Sequence, residues 1–216
     1  MDRRYSLQEE LHLTNEVENM GNKKRTVLIT GGGTDLAKEV CLRLASEGMN
    51  VGVADSDYER AKEITDMIKE AGGEAMPFLV DVSDEKSVEE MFNGFLAAYG
   101  KINYFMASDI KHRHLDFLKI TYEDWKNVMS TNICGTILCC RRAAKEMIKQ
   151  GKGEEPYSIL LAAPDEACSQ NGNAVADCAS SWGLRGFMRS MALNLAPEDI
   201  TVNLMAPEEN DKAAIK

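Results

Sequence analysis

From Thr26 onward the sequence alternates between short apolar, β-branched runs and segments of helical periodicity, with few residues between them. Strands are predicted at 26–30 (TVLIT), 50–54 (NVGVA), 75–80, 104–107, 158–162 and 201–205. Helices are predicted at about 36–47, 57–71, 84–99, 122–149 and 175–195. Gly48, the Gly72-Gly73 pair and Gly100 stand where helices should stop. Ser83, and the capping box running from Thr121 to Asp124, stand where two should start. Parallel strands cannot be joined by a hairpin; each needs a crossover, and a helix is the usual one. The alternation therefore predicts an α/β fold: one doubly wound parallel sheet of about six strands, covered by helices on both faces. The domain is expected over 25–216, after a polar N-terminal extension over 1–24 with a weak amphipathic stripe of Tyr5, Leu7, Leu11, Leu13 and Val17.

Composition narrows the partners. Among 216 residues, 25 Lys and Arg face 35 Asp and Glu, a formal charge of −10. Such a field repels nucleic acid and anionic lipid, so neither is expected as a partner. No apolar run approaches the roughly 20 residues of a membrane span. The N-terminus lacks the apolar core of a secretory signal, so a cytoplasmic location is expected. Cys41, Cys134, Cys139, Cys140, Cys168 and Cys178 show no Cys-x-x-Cys spacing and read as free thiols, mostly packed as small apolar residues. No metal site is expected.

In a doubly wound sheet the ligand crevice lies beyond the carboxyl ends of the strands, near the reversal of strand order. Here the exit of the first strand is Thr30-Gly31-Gly32-Gly33-Thr34-Asp35. Glycines at such a turn let backbone N–H groups approach a phosphate, and the following helix N-terminus favours its charge. Asp55 ends the second strand, the place for a carboxylate that accepts hydrogen bonds from a ribose diol. The competing role for Asp55 is a cap or turn of the next helix. An acid there opposes a ribose 2′-phosphate, so a bound dinucleotide is expected to be NAD rather than NADP.

Six stretches now point one way: TGGGTDLA at 30–37, DVSD at 81–84, YGKIN at 99–103, TNICG at 131–135, SSWGLRGFMRSMALNLA at 180–196 and ITVNLMAP at 200–207. Over about 24–207 the chain resembles the short-chain dehydrogenase/reductase family of the classical type, which includes ketoacyl reductases and hydroxysteroid dehydrogenases. The resemblance implies a Rossmann-type fold and an NAD(P)-dependent oxidoreductase scaffold. It places Thr30, Gly31, Gly33, Asp55 and Asp81 at the cofactor. It also exposes departures. The family's second and third glycines fall at Asp35 and Ala37. Ala37 is a mild change, but Asp35 puts a carboxylate beside the expected diphosphate. At about 4 Å that repulsion costs about 1 kcal/mol in water and about 4 at a partly buried site. The Asn-Asn-Ala-Gly motif after the fourth strand is replaced by Met106, Ala107, Ser108 and Asp109.

The reaction centre departs further. The family's Tyr exchanges a proton with the substrate oxygen, a Lys four residues later lowers its pKa, a Ser polarises the carbonyl, and an Asn supports a proton relay. Only the Asn matches, at Asn132. The Ser falls at Ala163 or Ala162, the Tyr at Asp177 and the Lys at Ser181. An ionised carboxylate has no proton to donate at neutral pH, and Ser181 carries no charge to tune it. Glu208 adds a negative group after Pro207. A replacement non-redox site, such as a hydratase or epimerase, would draw on Asp177, His112, His114, Asp165, Glu166, Cys168 or Cys178. The plainer expectation is that the histidines are solvated loop residues and Asp177 a drifted residue of the pocket surface.

The sequence ends nine residues after Pro207, whereas the family continues into a substrate-covering segment and a seventh strand. The sixth strand is thus expected to form a sheet edge, with homo- or hetero-oligomerisation through the helices at 122–149 and 175–195. The expected function is that of a degenerate member, catalytically impaired, with weak dinucleotide binding or a role as an oligomer partner. The alternative is an NAD-dependent oxidoreductase acting on a carbonyl or alcohol through an altered site.

Overall fold

A computed structural model describes residues 24–113, 115–163 and 174–205. The predicted alternation is present. β1 (Thr26–Thr30) leads into α1 (Asp35–Ser46), β2 (Asn50–Asp55), α2 (Tyr58–Glu70), β3 (Glu74–Leu79), α3 (Glu85–Tyr99) and β4 (Tyr104–Ala107). The rest of the chain supplies α4 (Tyr122–Met129), α5 (Thr136–Gln150), β5 (Tyr157–Ala162), α6 (Val175–Leu195) and β6 (Ile200–Met205). The strands form one parallel sheet in the order β3-β2-β1-β4-β5-β6. Strand order reverses between β1 and β4, where Thr30 pairs with both Ala54 and Ala107. The ends of these three strands frame the crevice. β6 is an edge among the described residues.

Each face of the sheet carries its own core, because successive side chains of a strand point to opposite sides. Leu28 joins Phe92, Phe95, Phe105, Met147 and Ile159 on one face. Val27 and Ile29 join Ala37, Cys41, Val51, Val53 and Ile64 on the other. A central strand covered on both faces is buried along its whole length: all five residues of β1 are, with apolar Val27, Leu28 and Ile29 between Thr26 and Thr30. Gly52 has a steric role: a Cβ there would lie 2.6 Å from the Phe95 ring.

The caps explain the helix boundaries and correct two expectations. Asp84, not Ser83, caps α3, accepting hydrogen bonds from the Lys86 and Ser87 N–H groups. Gly100 ends that helix with φ of +75°, a conformation that costs glycine little. The capping box of Thr121 and Asp124 opens α4. The long helix expected over 122–149 is interrupted: Ser130–Gly135 forms a π-helical segment between α4 and α5. Such widened turns displace side chains from the regular helical register and recur at functional sites. Here the segment carries Asn132.

Cys41, Cys139 and Cys140 are buried free thiols, as expected, but Cys134 is exposed. Among the described residues no helix is long and apolar enough to cross a membrane. None of their His, Cys, Asp and Glu side chains gather in groups of three or more that could hold a metal ion. The expectations on the N-terminal extension, His114, Asp165, Glu166, Cys168 and Glu208 lie outside the described residues.

Candidate active site

Two constellations meet at the carboxyl ends of the strands. The first is the glycine turn. Gly31 has φ of +64°, and a Cβ on it would lie 2.5 Å from the Ser108 carbonyl oxygen and 2.7 Å from the Asp109 nitrogen. The turn is thus pressed against the exit of β4, and only glycine satisfies both backbone angle and contact. Ser108 secures the same join, its hydroxyl donating to the Thr30 carbonyl at 2.6 Å. Thr34 caps α1, its hydroxyl donating to the Gly31 carbonyl and accepting from the Ala37 N–H.

Asp55 belongs to this turn. Its Oδ2 accepts from the Gly33 N–H at 2.8 Å, and its Oδ1 accepts from the Asp57 N–H at 2.9 Å. Both oxygens are engaged by the chain itself. Asp57, two residues on, is the cap of α2. Asp81 is exposed and closes its own turn, accepting from the Ser83 N–H and hydroxyl. Asp109, partly buried beside Gly31, has its carboxyl pushed up to about 7: burial is the main cause, and the charge of Asp55 adds to it. Asp35, exposed, opens α1.

These residues do not fit a dinucleotide's diphosphate. One N–H of the turn already serves a carboxylate, and two further acids adjoin it, Asp35 in the first turn of α1 and Asp109 next to Gly31. Ser181, where the resemblance expects the ribose-holding Lys, is fully buried and uncharged.

The second constellation centres on Asp177. Asp177, Ser180 and Ser181 lie three and four residues apart and so share one face of α6. All three are 0% exposed, as is Ala163, and Asn132 is 1% exposed. A buried carboxylate is costly unless its oxygens are satisfied. The loop after β4 satisfies them: His112 Nδ1 lies 3.0 Å from Asp177 Oδ2, and the Arg113 N–H donates to Oδ1 at 3.1 Å.

Asn132 holds that loop in place. Its Oδ1 accepts from the Lys111 N–H at 2.8 Å, and its amide donates to the Lys111 carbonyl at 3.0 Å and to Ser180 Oγ at 3.2 Å. Ser180 in turn donates to the Asp177 carbonyl. Within the π segment, the Thr136 hydroxyl satisfies the Asn132 carbonyl. The Arg113 side chain bonds Asp124 at 2.8 Å, and a bridge between Leu115 and Ala174 ties the far end of the loop to the start of α6. Asp124 is held below the usual carboxylate range, first by the Thr121 hydroxyl and then by Arg113.

Two expectations are corrected. Asp177 is not a pocket-surface residue but fully buried. His112 is not a merely solvated histidine, because its ring is bonded to Asp177. Asn132 and Asp177, expected together, are indeed brought together, through Ser180 and the 111–113 loop. His112, named beside Asp177 only as a member of a replacement non-redox site, is the side chain that bonds it, although no local pattern pairs it with a residue 65 positions away.

Comparison with known proteins bears on the whole chain. The family model described as short chain dehydrogenase matches residues 25–213. A short-chain dehydrogenase/reductase of Armillaria gallica is 31% identical over 190 residues, covering 85% of this chain and 70% of that protein. A crystal structure of a short-chain type dehydrogenase/reductase from Mycobacterium marinum superposes with a TM-score of 0.79 at 27% identity, covering 85% of this chain and 72% of the other. A structure of NAD+-bound xylitol dehydrogenase does so with a TM-score of 0.79 at 25% identity, covering 86% and 70%.

Proposed function

The chain belongs to the short-chain dehydrogenase family, and from that premise we propose that it has lost the family's tyrosine-dependent hydride transfer while keeping the scaffold. The family is one of oxidoreductases, and relatives bind NAD or NADP. The observation that carries the proposal is the state of Asp177 and Ser181. A fully buried carboxyl group, with both oxygens held in hydrogen bonds, stands where a proton-donating phenol is expected. A buried hydroxyl without a hydrogen-bond partner stands where the activating ammonium is expected. Sealed from solvent, neither is placed to deliver a proton to a carbonyl oxygen of a substrate.

Weak NAD binding belongs to the same reading. Asp55 and Asp81 are the acids that would favour the adenosine end of NAD over NADP, whereas the carboxylates of Asp35 and Asp55 at the turn oppose the diphosphate. Free thiols on a fold of this composition support a cytoplasmic setting. Self-association through α4–α5 and α6 is supported by the exposure of Tyr122, Trp182 and Leu193.

The test is calorimetric titration with NADH and NADPH, joined to a turnover screen over ketones and alcohols. We expect dissociation constants no tighter than about millimolar and no turnover. Micromolar binding of NADH with turnover would overturn the proposal and favour an NAD-dependent oxidoreductase with an altered site. Sedimentation of the Trp182→Glu/Leu193→Glu protein checks the association surface; an unchanged oligomeric state excludes it.

A further inference from the structure

We propose that residues 1–23 pack across the half of the sheet that the described helices leave uncovered, laying Leu7, Leu11, Leu13 and Val17 over β5 and β6. The uncovered half follows from the strand register. Successive side chains of β4, β5 and β6 point to opposite faces. Phe105, Ile159, Ile200 and Val202 are buried on the face that α5 and α6 cover. The other face carries two rows of paired residues: Tyr104, Ser158 and Thr201, then Met106, Leu160 and Asn203. Along them the cover fades toward the edge, with Met106 buried, Leu160 half-buried, and Thr201 and Asn203 exposed. On this face α1 and α2 pack over β2 and β3, whereas the helices packed on β4, β5 and β6 are α5 and α6, behind the sheet. A parallel sheet is ordinarily covered on both faces. β6 alternates buried Ile200 and Val202 with exposed Thr201 and Asn203, the pattern of a strand covered on one.

Three observations name the occupant. The first is where the chain enters. Arg25, the last residue before β1, sends its guanidinium to the Tyr104 hydroxyl at 3.5 Å and to the Glu155 carboxylate at 2.8 Å. Tyr104 begins the first of the two rows, so the chain comes to β1 at the border of the uncovered half. The second is reach. β6 lies three strand spacings from β1, about 15 Å, and 23 residues span about 35 Å even when helical. The third is composition. Residues 1–23 supply Leu7, Leu11, Leu13 and Val17, whereas in residues 206–216 the one large apolar side chain is Ile215. Half-buried Leu160 and Met205 are the apolar surface that such side chains remove from water. The packing requires no dinucleotide and is independent of the redox reading above.

The experiment uses the full chain with Asn203→Cys, which puts a thiol in the uncovered face. Alkylation by N-ethylmaleimide is followed by peptide mass spectrometry, with exposed Cys134 as the reference in the same molecule. Each rate is divided by that of the same thiol in urea. The introduced thiol should react at least about tenfold more slowly than Cys134, because it is reached only when the segment opens. Adding Leu11→Ser and Leu13→Ser should restore at least about tenfold of that rate, and diluting the protein should change neither. Thr201→Cys repeats the measurement one row away, and Cys41, buried on α1, stays unlabelled while the sheet is intact. Equal rates for the introduced thiol and Cys134 overturn the packing. Protection that persists in the Leu11→Ser/Leu13→Ser protein, or that disappears on dilution and so belongs to a second copy, overturns residues 1–23 as the occupant.

Discussion

Replacing Asp109 by Asn keeps the shape of the side chain and removes its charge, and the consequence depends on pH. Burial, with the Asp55 charge adding to it, raises the Asp109 carboxyl from 3.8 to about 7. The folded protein therefore holds a proton that the unfolded chain releases over that interval. The resulting stability is complete below pH 3.8 and is lost as pH rises through 7. A shift of roughly 3 units sets a ceiling of about 4 kcal/mol, at about 1.36 kcal/mol per unit. Asp109 is only partly buried, and screening by water reduces the effect to about 1–2 kcal/mol. Asp109→Asn should match wild type near pH 4 and exceed it by that amount near pH 8. Urea unfolding of both proteins across this range measures the difference, and the other carboxylates, common to both, cancel. A difference that does not change with pH would refute the account of Asp109 and the crowding of acids at the glycine turn.

Gly31→Ala should destabilise by at least about 2 kcal/mol, combining the left-handed backbone penalty with the collision against the Ser108 and Asp109 backbone; thermal unfolding reads it. Asn132→Ala should free the loop after β4, speeding hydrogen exchange at the Lys111 N–H about tenfold for each 1.4 kcal/mol of hydrogen bonding lost. Phe95→Ala should cost about 3–5 kcal/mol, and Gly52→Ala should also destabilise, because its Cβ meets the Phe95 ring. In the native protein maleimide should label Cys134 while sparing Cys41, Cys139 and Cys140. Burial pushes the Cys41 thiol up to about 12 and the other two well above the usual range. Mass spectrometry of labelled peptides checks this.

The legible part of this fold was local. Strand positions followed from apolar runs, because a strand covered on both faces has no polar side to show. Helix ends followed from capping residues, although Asp84 rather than Ser83 takes the cap of α3. The π-helical segment at Ser130–Gly135 was not legible, since the helical pattern runs through it unbroken. Its tertiary ties are those of Asn132, which reaches the Lys111 backbone and Ser180.

The candidate site divides along the same line. The sequence by itself determined the doubly wound sheet, the crevice at the end of β1, and the loss of the phenol and ammonium at positions 177 and 181. The sheet and the crevice follow from periodicity and residue type, which are properties of the chain, and the loss at 177 and 181 is what the resemblance to the family implies. Only the tertiary structure decided that Asp177 is sealed from water, that His112 and the Arg113 N–H are its partners, and that Asp55 bonds the glycine turn. Burial and hydrogen bonding depend on which surfaces meet. Residues 112 and 177 meet because the loop after β4 is brought against α6 by the winding of the chain.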